Sequence, residues 1–160
     1  MSAALNCNIS FIGGGNMAQA LIGGLIARGL PATRITVSDP VEKVRLLLAE
    51  KEVNVTDDNI AAIKHADIVV FAVKPQVLAD VLKPLQGLLD GKLVISIVAG
   101  AEIATLSSLL GTDRIVRVMP NTPALVQTGA HGLFANADMS TADRELASQV
   151  LASTGLTIWV

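Results

Sequence analysis

Cysteine, aromatic residues and charged residues are all scarce in this 160-residue chain. Cys7 is the one cysteine, so an internal disulfide is excluded, which is typical of a reducing compartment. Aromatic residues make up 2% and the formal net charge is −2, so neither base stacking nor a basic nucleic-acid surface is indicated. The histidines, His65 and His131, show no metal-ligand spacing with each other or with Cys7. We therefore expect a cytoplasmic protein without a nucleic-acid partner or a metal.

Charged residues make up only 16% of the chain, apolar residues make up 51%, and the mean hydropathy is +0.56. This composition raises the question of whether the chain is a membrane protein. Residues 1–27 carry no charged side chain, yet Asn8, Ser10, Asn16 and Gln19 interrupt them. No apolar run approaches the roughly 20 residues that a spanning helix needs, and the basic flank of a signal peptide is missing. We therefore expect no membrane partner, and strands that are apolar throughout because both faces of their sheet are buried.

Short apolar runs alternate with helical patterns along the chain. The predicted strands are 8–12, 34–38, 68–73, 93–98 and 114–118, with a weaker one at 53–55, and the predicted helices are 16–28, 41–51, 58–64, 77–89 and 102–110. This alternation indicates βαβ units and a parallel sheet. Beyond residue 118 the pattern predicts a loop over 119–129, a strand over 130–136, a helix over 140–154 and a strand over 156–160.

Three consecutive glycines separate the first predicted strand from the first helix. Gly13, Gly15 and Ala18 match the pattern G-x-G-x-x-[GA] at such a junction. Gly13 permits the tight turn, Gly15 leaves room for a pyrophosphate, and Ala18 lets the helix pack closely on the sheet. The anion would lie at the helix N-terminus. With Asp39 at the end of the second strand, the context predicts a dinucleotide site, whereas a P-loop is excluded because no G-K-[ST] follows.

Asp39 leaves the choice of cofactor open. Its carboxylate would accept hydrogen bonds from ribose hydroxyls and repel a 2′-phosphate, which favours NAD(H). Ser38 could instead donate to a phosphate, and Lys43 or Arg45 could reach one. A simpler interpretation is that Asp39 caps the next helix, with Pro40 at its first position and Glu42 in its first turn.

Gly23 and Gly24 lie inside the first predicted helix. Each costs a helix about 1 kcal/mol relative to alanine. A cofactor does not account for them, so we expect close packing between this helix and the sheet.

Three further loops follow strand ends, where the ligand of an open α/β sheet lies. "FAVKPQ" places Lys74 at a strand tip before Pro75, and "SIVAG" (96–100) offers small residues that a flat ring could approach. "MPNTPA" (119–124) presents the Asn121 amide and the Thr122 hydroxyl between two prolines. Each of these loops taken alone is also compatible with an ordinary turn.

In this order and at these separations, FIGGGNMA, AVKPQ, SIVAG and RVMPNTPA resemble pyrroline-5-carboxylate reductase, the enzyme of the last step of proline biosynthesis. The resemblance covers essentially the whole chain. It implies one Rossmann-type domain, doubly wound around a mainly parallel sheet with helices on both faces, that binds NADP(H) or NAD(H) and favours NADP(H). The cofactor-binding residues that it implies are Gly13, Gly14, Gly15, Asn16, Met17, Ala18, Ser38, Asp39, Asn59, Ala72, Val73, Lys74, Pro75, Ala99, Gly100 and Asn121.

The family continues for about another domain. The resemblance therefore implies that residues 1–160 form the NAD(P)-binding domain and that a helical domain follows residue 160. That domain would form the homo-oligomer and most of the pocket for the small-molecule substrate, with S-G-S-G-P and T-S-P-G-G-T-T motifs that do not occur here. Catalytic residues are expected there, Asn121 and Thr122 would border the substrate mouth, and the isolated chain is expected to be inactive.

Two other functions stay open. One is another hydride-transfer enzyme with an N-terminal Rossmann unit, of the 3-hydroxyacid or prephenate dehydrogenase type, although "MPNTPA" after a "VKP" strand is not expected of those enzymes. The other is a dinucleotide-binding module without catalysis, because the reacting half is absent from the sequence.

Overall fold

The structure, a computed structural model, describes residues 6–119, 129–137 and 139–159. The strands are β1 (Ile9–Ile12), β2 (Ile35–Ser38), β3 (Asn54–Thr56), β4 (Ile68–Phe71), β5 (Leu93–Ser96), β6 (Ile115–Met119), β7 (Gly129–Ala135) and β8 (Gly155–Trp159). The helices are α1 (Asn16–Ala27), α2 (Glu42–Ala49), α3 (Asn59–Ile63), α4 (Leu78–Leu82), α5 (Ile103–Leu110) and α6 (Thr141–Ala152). Residues 120–128, which include Asn121 and Thr122, lie outside the described residues.

The strands form a single sheet in the order β3-β2-β1-β4-β5-β6-β7-β8. The first six strands of this order run parallel, β7 pairs antiparallel with β6, and β8 pairs parallel with β7. The chain proceeds outward from β1 to β3 and then returns to the other side of β1 with β4. The predicted α/β class and the mainly parallel, doubly wound sheet are thereby confirmed.

The central strands are buried on both faces, as their unbroken apolar runs predict. Every residue of β1, β4 and β5 is buried. One face packs against α1, α2 and α6, and the other against α3, α4 and α5. The high hydropathy therefore belongs to strands enclosed between two helical layers. Within the described ranges, each helix is too short or too polar to cross a bilayer.

The single helix predicted over 77–89 is wrong. The segment is divided into a 3-10 turn (Pro75–Val77), the short helix α4 and a second 3-10 turn (Lys83–Leu85). Pro84 accounts for the division, because a proline has no N–H to donate to the carbonyl of Asp80 and its ring collides with that carbonyl.

The predicted start of α2 also needs correction. The helix begins at Glu42, so Pro40 precedes it and does not occupy its first position. The Asp39 carboxylate accepts a hydrogen bond from the Val41 N–H at 2.8 Å, which forms a turn in front of the helix. Glu42 lies in the first turn, as predicted.

The expected packing of the two helical glycines against the sheet is wrong for both, although Gly24 does have a close neighbour. A Cβ on Gly24 would collide with the carbonyl oxygen of Ser153, so the close neighbour is the turn after α6 and not the sheet. A Cβ on Gly23 would have no atom within 4 Å. Ala18, by contrast, is fully buried under the sheet-facing side of α1, as the glycine pattern predicts.

Candidate functional site

A cavity of about 480 Å³ opens beyond the carboxyl ends of β1, β2 and β4. These ends lie at one level because Ile12 is in register with both Ser38 and Phe71. β1 and β4 flank the point at which the strand order reverses, which is where ligands of doubly wound sheets bind. The cavity is lined by Ile12, Gly13, Gly14, Gly15, Ser38, Asp39, Pro40, Val41, Asp57, Asn59, Ala72, Val73, Lys74, Val77 and Val81.

Gly13 joins β1 to both neighbouring strands. Its φ of +104° lies in the region that favours glycine, and its N–H donates to the Ser38 carbonyl at 2.8 Å. A Cβ here would stand 2.6 Å from the carbonyl oxygen of Ala72, a backbone atom that cannot rotate away. The protein itself therefore requires glycine at this position.

Gly14 is held in place from two sides. Its N–H donates to Asp39 Oδ2 at 2.9 Å, and its carbonyl accepts from Gln19 Nε2 at 2.9 Å. A Cβ would approach Leu48 Cδ1 to 2.7 Å and Val44 Cγ1 to 2.9 Å. The side chains of α2 thus occupy the space that a larger residue would need.

Gly15 differs, because a Cβ there would meet nothing within 4 Å. It is the N-cap of α1 with φ −73° and ψ −169°, a conformation open to any residue. No side chain caps α1 and no acidic residue lies in its first turn, whereas Asp58 and Ser140 cap α3 and α6. The free N–H groups and positive dipole end of α1 therefore face open space that suits an anion.

The far side of the cavity, at the ends of β2 and β3, is a network of polar groups. Both carboxylate oxygens of Asp39 accept backbone N–H groups, from Gly14 and Val41. Arg45 Nη1 donates to the Asp39 carbonyl at 2.8 Å, which holds a guanidinium at this end. Ser38 Oγ donates to Asn59 Oδ1 at 2.5 Å, so the Asn59 amide nitrogen remains the donor that this side chain offers.

The opposite wall comes from the end of β4 and from α4. Ala72, Val73 and Lys74 follow β4, with Lys74 exposed at the rim. Val77 and Val81 give this wall apolar surface. The cavity thus has a polar end beside β2 and a more apolar wall beside β4.

Many of the residues predicted to bind the cofactor come together here. The predicted residues in the cavity wall are Gly13, Gly14, Gly15, Ser38, Asp39, Asn59, Ala72, Val73 and Lys74. Those outside the wall are Asn16 and Met17 in the first turn of α1, Ala18 beneath it, Pro75 after Lys74, and Ala99 and Gly100 after β5. Asn121 and Thr122 lie outside the described residues. The binding roles of all these residues stay predictions.

The sequence analysis missed other members of the wall. They are Ile12, Pro40, Val41, Asp57, Val77 and Val81. A usable signal existed for Pro40 and Val41, since both follow Asp39 at a strand end already assigned to the site, and Asp57 follows the weaker predicted strand. Val77 and Val81 carried no such signal, because they belong to the segment predicted as one long helix.

Cys7 and Asp143, which lie outside the cavity, have altered acidities. Burial, together with the nearby Asp67 carboxylate, raises the pKa of the Cys7 thiol, so this cysteine is held as a neutral thiol. The hydrogen bonds that Arg114 donates lower the pKa of Asp143 at the start of α6. Within the described ranges, no cluster of His, Cys, Asp and Glu has the form of a metal site.

Residues 8–100 match the model of a family described as NADP oxidoreductase, coenzyme F420-dependent. The chain belongs to this family. It is 46% identical to the pyrroline-5-carboxylate reductase of Pseudomonas aeruginosa over 155 residues, and 46% identical to that of Haemophilus influenzae over 154 residues. Each alignment covers 95% of this chain and 57% of the relative. The chain therefore spans a little more than half the length of these curated family members.

Solved structures show the same likeness. A pyrroline-5-carboxylate reductase from Coxiella burnetii superposes with a TM-score of 0.92 at 41% identity, covering 96% of this chain and 58% of that one. The Plasmodium falciparum pyrroline carboxylate reductase with NADP bound gives 0.84 at 30% identity, covering 97% and 58%. The predicted resemblance and the Rossmann-type fold are confirmed. A prephenate dehydrogenase from A. aeolicus gives 0.82 at 16% identity, which shows the fold alone.

Proposed function

We propose that this chain is the dinucleotide-binding part of an enzyme that reduces 1-pyrroline-5-carboxylate to proline with NAD(P)H. The single observation that supports the binding role most strongly is the open space at Gly15, at the uncapped start of α1. The names of the relatives, at 46% identity, support the reaction.

The pyrophosphate is proposed to lie on the glycine turn, between Gly13 and the first turn of α1. The space a Cβ of Gly15 would fill is free of protein atoms, so the backbone can approach an anion closely there. The N–H groups of Asn16 and Met17 lie in the first turn of α1, where an α-helix provides no acceptor. The residues present therefore fit a dinucleotide.

The chain's contribution to the reaction is binding and orientation. When bound, a reduced nicotinamide would supply a hydride to the imine carbon of the substrate, whose own ring nitrogen carries a proton. A cationic iminium is already electrophilic, so what the protein must supply is position and a dry site. The glycine turn would hold the pyrophosphate at the middle of the cofactor, and Ala72, Val77 and Val81 would offer apolar surface along its path. Asn121 and Thr122 are proposed to border the substrate mouth.

We further propose that the chain prefers NADP(H). Asp39 is bonded to two backbone N–H groups, which partly offset its charge, and the Arg45 guanidinium lies at the same strand end. Ser38 and Asn59 add a hydroxyl and an amide nearby. This combination suits a 2′-phosphate better than an unpaired carboxylate would.

Titration with NADPH and NADH separately tests the cofactor proposal. Arg45→Ala is expected to weaken NADPH binding about tenfold, the loss of about one charge-assisted hydrogen bond, and to change NADH binding little. Lys43→Ala is the matched control, because it removes an exposed cation of the same helix, whereas Arg45 is the residue bonded to the Asp39 carbonyl. Equal weakening of both dinucleotides by Arg45→Ala would contradict the assigned preference.

A second domain after residue 160 is proposed to complete the enzyme, form the homo-oligomer and supply most of the substrate pocket. The relatives support this, because the chain spans 57% of their length. The isolated chain should bind the dinucleotide without turnover, and the full-length protein should oxidise NADPH when 1-pyrroline-5-carboxylate is added. Enzyme-like reduction by the isolated chain would contradict the division of labour. If the full-length protein binds the dinucleotide but does not reduce 1-pyrroline-5-carboxylate, the alternative function, a dinucleotide-binding module without catalysis, is supported instead.

A further inference from the structure

Two arginines, one just before β6 and one in the middle of the strand, have very different surroundings. Arg114, just before the strand, donates to both carboxylate oxygens of Asp143 at 2.8 and 3.0 Å. Arg117, in the middle of the strand, has a buried Nε without a hydrogen-bond partner among the described residues. Within the described residues, its Nη2 donates to the Met119 sulfur at 3.7 Å, and its guanidinium carbon lies 5.8 Å from the centre of the Phe134 ring. A buried N–H donor without an acceptor is costly, and the described residues supply none to this Nε.

The side chains around Arg117 form an apolar surface. Phe134 on β7 is its register partner, Met119 lies two residues further along β6, and Ile158 on β8 is in register with Gly132 on the same side. Met119 is 43% exposed and Ile158 is 54% exposed, both high for large apolar residues. We call Arg117, Met119, Phe134 and Ile158 the β6–β8 face.

In the described part of the chain, the helix that packs on β8 does so from the other side of the sheet. Trp159 alternates with Ile158, and its Nε1 donates to Ser148 Oγ on α6 at 2.9 Å. Val150 and Leu151 of α6 are fully buried in the cluster on that opposite side. The helices on the side of Arg117 cover β1, β4 and β5, and α5 reaches β6. The β6–β8 face therefore continues a helix-covered layer without a described helix of its own.

We propose that a helix of the C-terminal domain covers the β6–β8 face in the full-length protein and presents a carboxylate to Arg117. This rests on the domain proposed above to follow residue 160. The chemistry defines the occupant, because the apolar side chains need an apolar partner and the unpaired Nε–H of Arg117 needs an acceptor, for which a carboxylate also matches the positive charge. The dinucleotide does not meet this need, since none of the four residues lines its cavity. The relatives have the required length, as this chain spans only 57% of them.

Cysteine labelling in the full-length protein tests the coverage. Met119→Cys and Ile158→Cys are introduced singly, in a Cys7→Ser background, and their modification by iodoacetamide is followed by peptide mass spectrometry. The control is Leu46→Cys on α2, because Leu46 is 62% exposed and lies away from the face. We expect thiols at 119 and 158 to react at least tenfold more slowly than the thiol at 46. Equal rates at all three positions would overturn the proposal.

Substitutions of Arg117 test the carboxylate. Arg117→Met keeps the length but removes the donors, and is expected to raise the labelling rate of Ile158→Cys, whereas Arg117→Lys should preserve protection. In Arg117→Lys, a carbodiimide should join the new amine to an acidic residue beyond position 160, identified by mass spectrometry. A cross-link only within residues 1–160, or unchanged labelling in Arg117→Met, would overturn the ion pair.

The same proteins separate this inference from the proposed function. Affinity for NADPH and reduction of 1-pyrroline-5-carboxylate are measured on the Leu46→Cys control. If the full-length protein reduces 1-pyrroline-5-carboxylate while the thiols of the β6–β8 face are labelled freely, only the docking inference is contradicted. Protected thiols in a protein without turnover would instead retain the docking inference and remove the proposed reaction.

Discussion

Two groups of glycines can be compared, the turn between β1 and α1 and the pair inside α1. In each group an added Cβ would collide with protein atoms at one or more crowded positions and would lie in open space at another. In the turn, a Cβ on Gly13 would collide with the Ala72 carbonyl, whereas a Cβ on Gly15 would have no atom within 4 Å. In the pair, a Cβ on Gly24 would collide with Ser153, whereas a Cβ on Gly23 would have no atom within 4 Å. The crowded positions are explained by the protein's own packing. The open positions differ in their setting, since Gly15 lies at an uncapped helix start inside a cavity and Gly23 lies in mid-helix. Open space therefore indicates a ligand only where the backbone groups that would bind one are also free.

Gly13→Ala should have the largest effect on stability. It combines a positive φ with a Cβ 2.6 Å from the Ala72 carbonyl oxygen, in the middle of the sheet. Left-handed strain of about 1–2 kcal/mol and a steric cost of about 1–3 kcal/mol predict a total loss of about 2–5 kcal/mol. Urea unfolding measures it. A loss below about 1 kcal/mol would show that the turn can relax and that the comparison overstates crowding.

Gly24→Ala should come second. A Cβ would collide with the Ser153 carbonyl oxygen and separate α1 from the end of α6. The steric cost of about 1–3 kcal/mol is offset by about 1 kcal/mol of improved helix propensity, so a net loss of up to about 2 kcal/mol is expected. Thermal unfolding monitored by circular dichroism checks it. Increased stability in this variant would mean that Ser153 moves aside freely.

Gly15→Val should affect binding and largely spare the fold. The added methyl groups would occupy the space assigned to the pyrophosphate, so we expect at least a hundredfold weaker NADPH binding, about 2.7 kcal/mol. The free energy of unfolding should fall by no more than about 1 kcal/mol, which is the cost of replacing a favourable N-cap residue. Fluorescence titration measures the affinity.

Gly23→Val is the matched control for that experiment, because it makes the same substitution in the same helix at the other open position. Its affinity for NADPH should equal that of the unaltered chain. Retained binding in Gly15→Val, or equal losses in both variants, would show that the pyrophosphate does not lie on the turn.

Gly23→Ala should have the smallest effect and the opposite sign. Nothing approaches the added methyl group, and alanine is favoured over glycine in a helix by about 1 kcal/mol. The midpoint of urea unfolding should therefore rise. A fall in this midpoint would reveal a packing role for Gly23 that the described contacts do not contain.

Much of the architecture could be read from local patterns, and its errors have local causes. The buried strands β1, β4 and β5 were found because each is apolar throughout, as a strand covered on both faces must be. The segment 77–89 was misjudged because its apolar spacing was weighed above Pro84, whose ring ends a helix. Asp39 was assigned to the correct strand end, but its hydrogen bond to Gly14 could not be foreseen.

The order of elements, the position of the glycine turn and the family follow from the amino-acid sequence alone. Hydrophobic periodicity and backbone freedom act over a few residues, so they are visible in a linear chain. Folding was needed to show that Gly24 touches Ser153, that Gly14 binds Asp39 and that Arg117 lies on a face without a described helix. Those facts depend on which distant segments meet, and packing in three dimensions alone decides that.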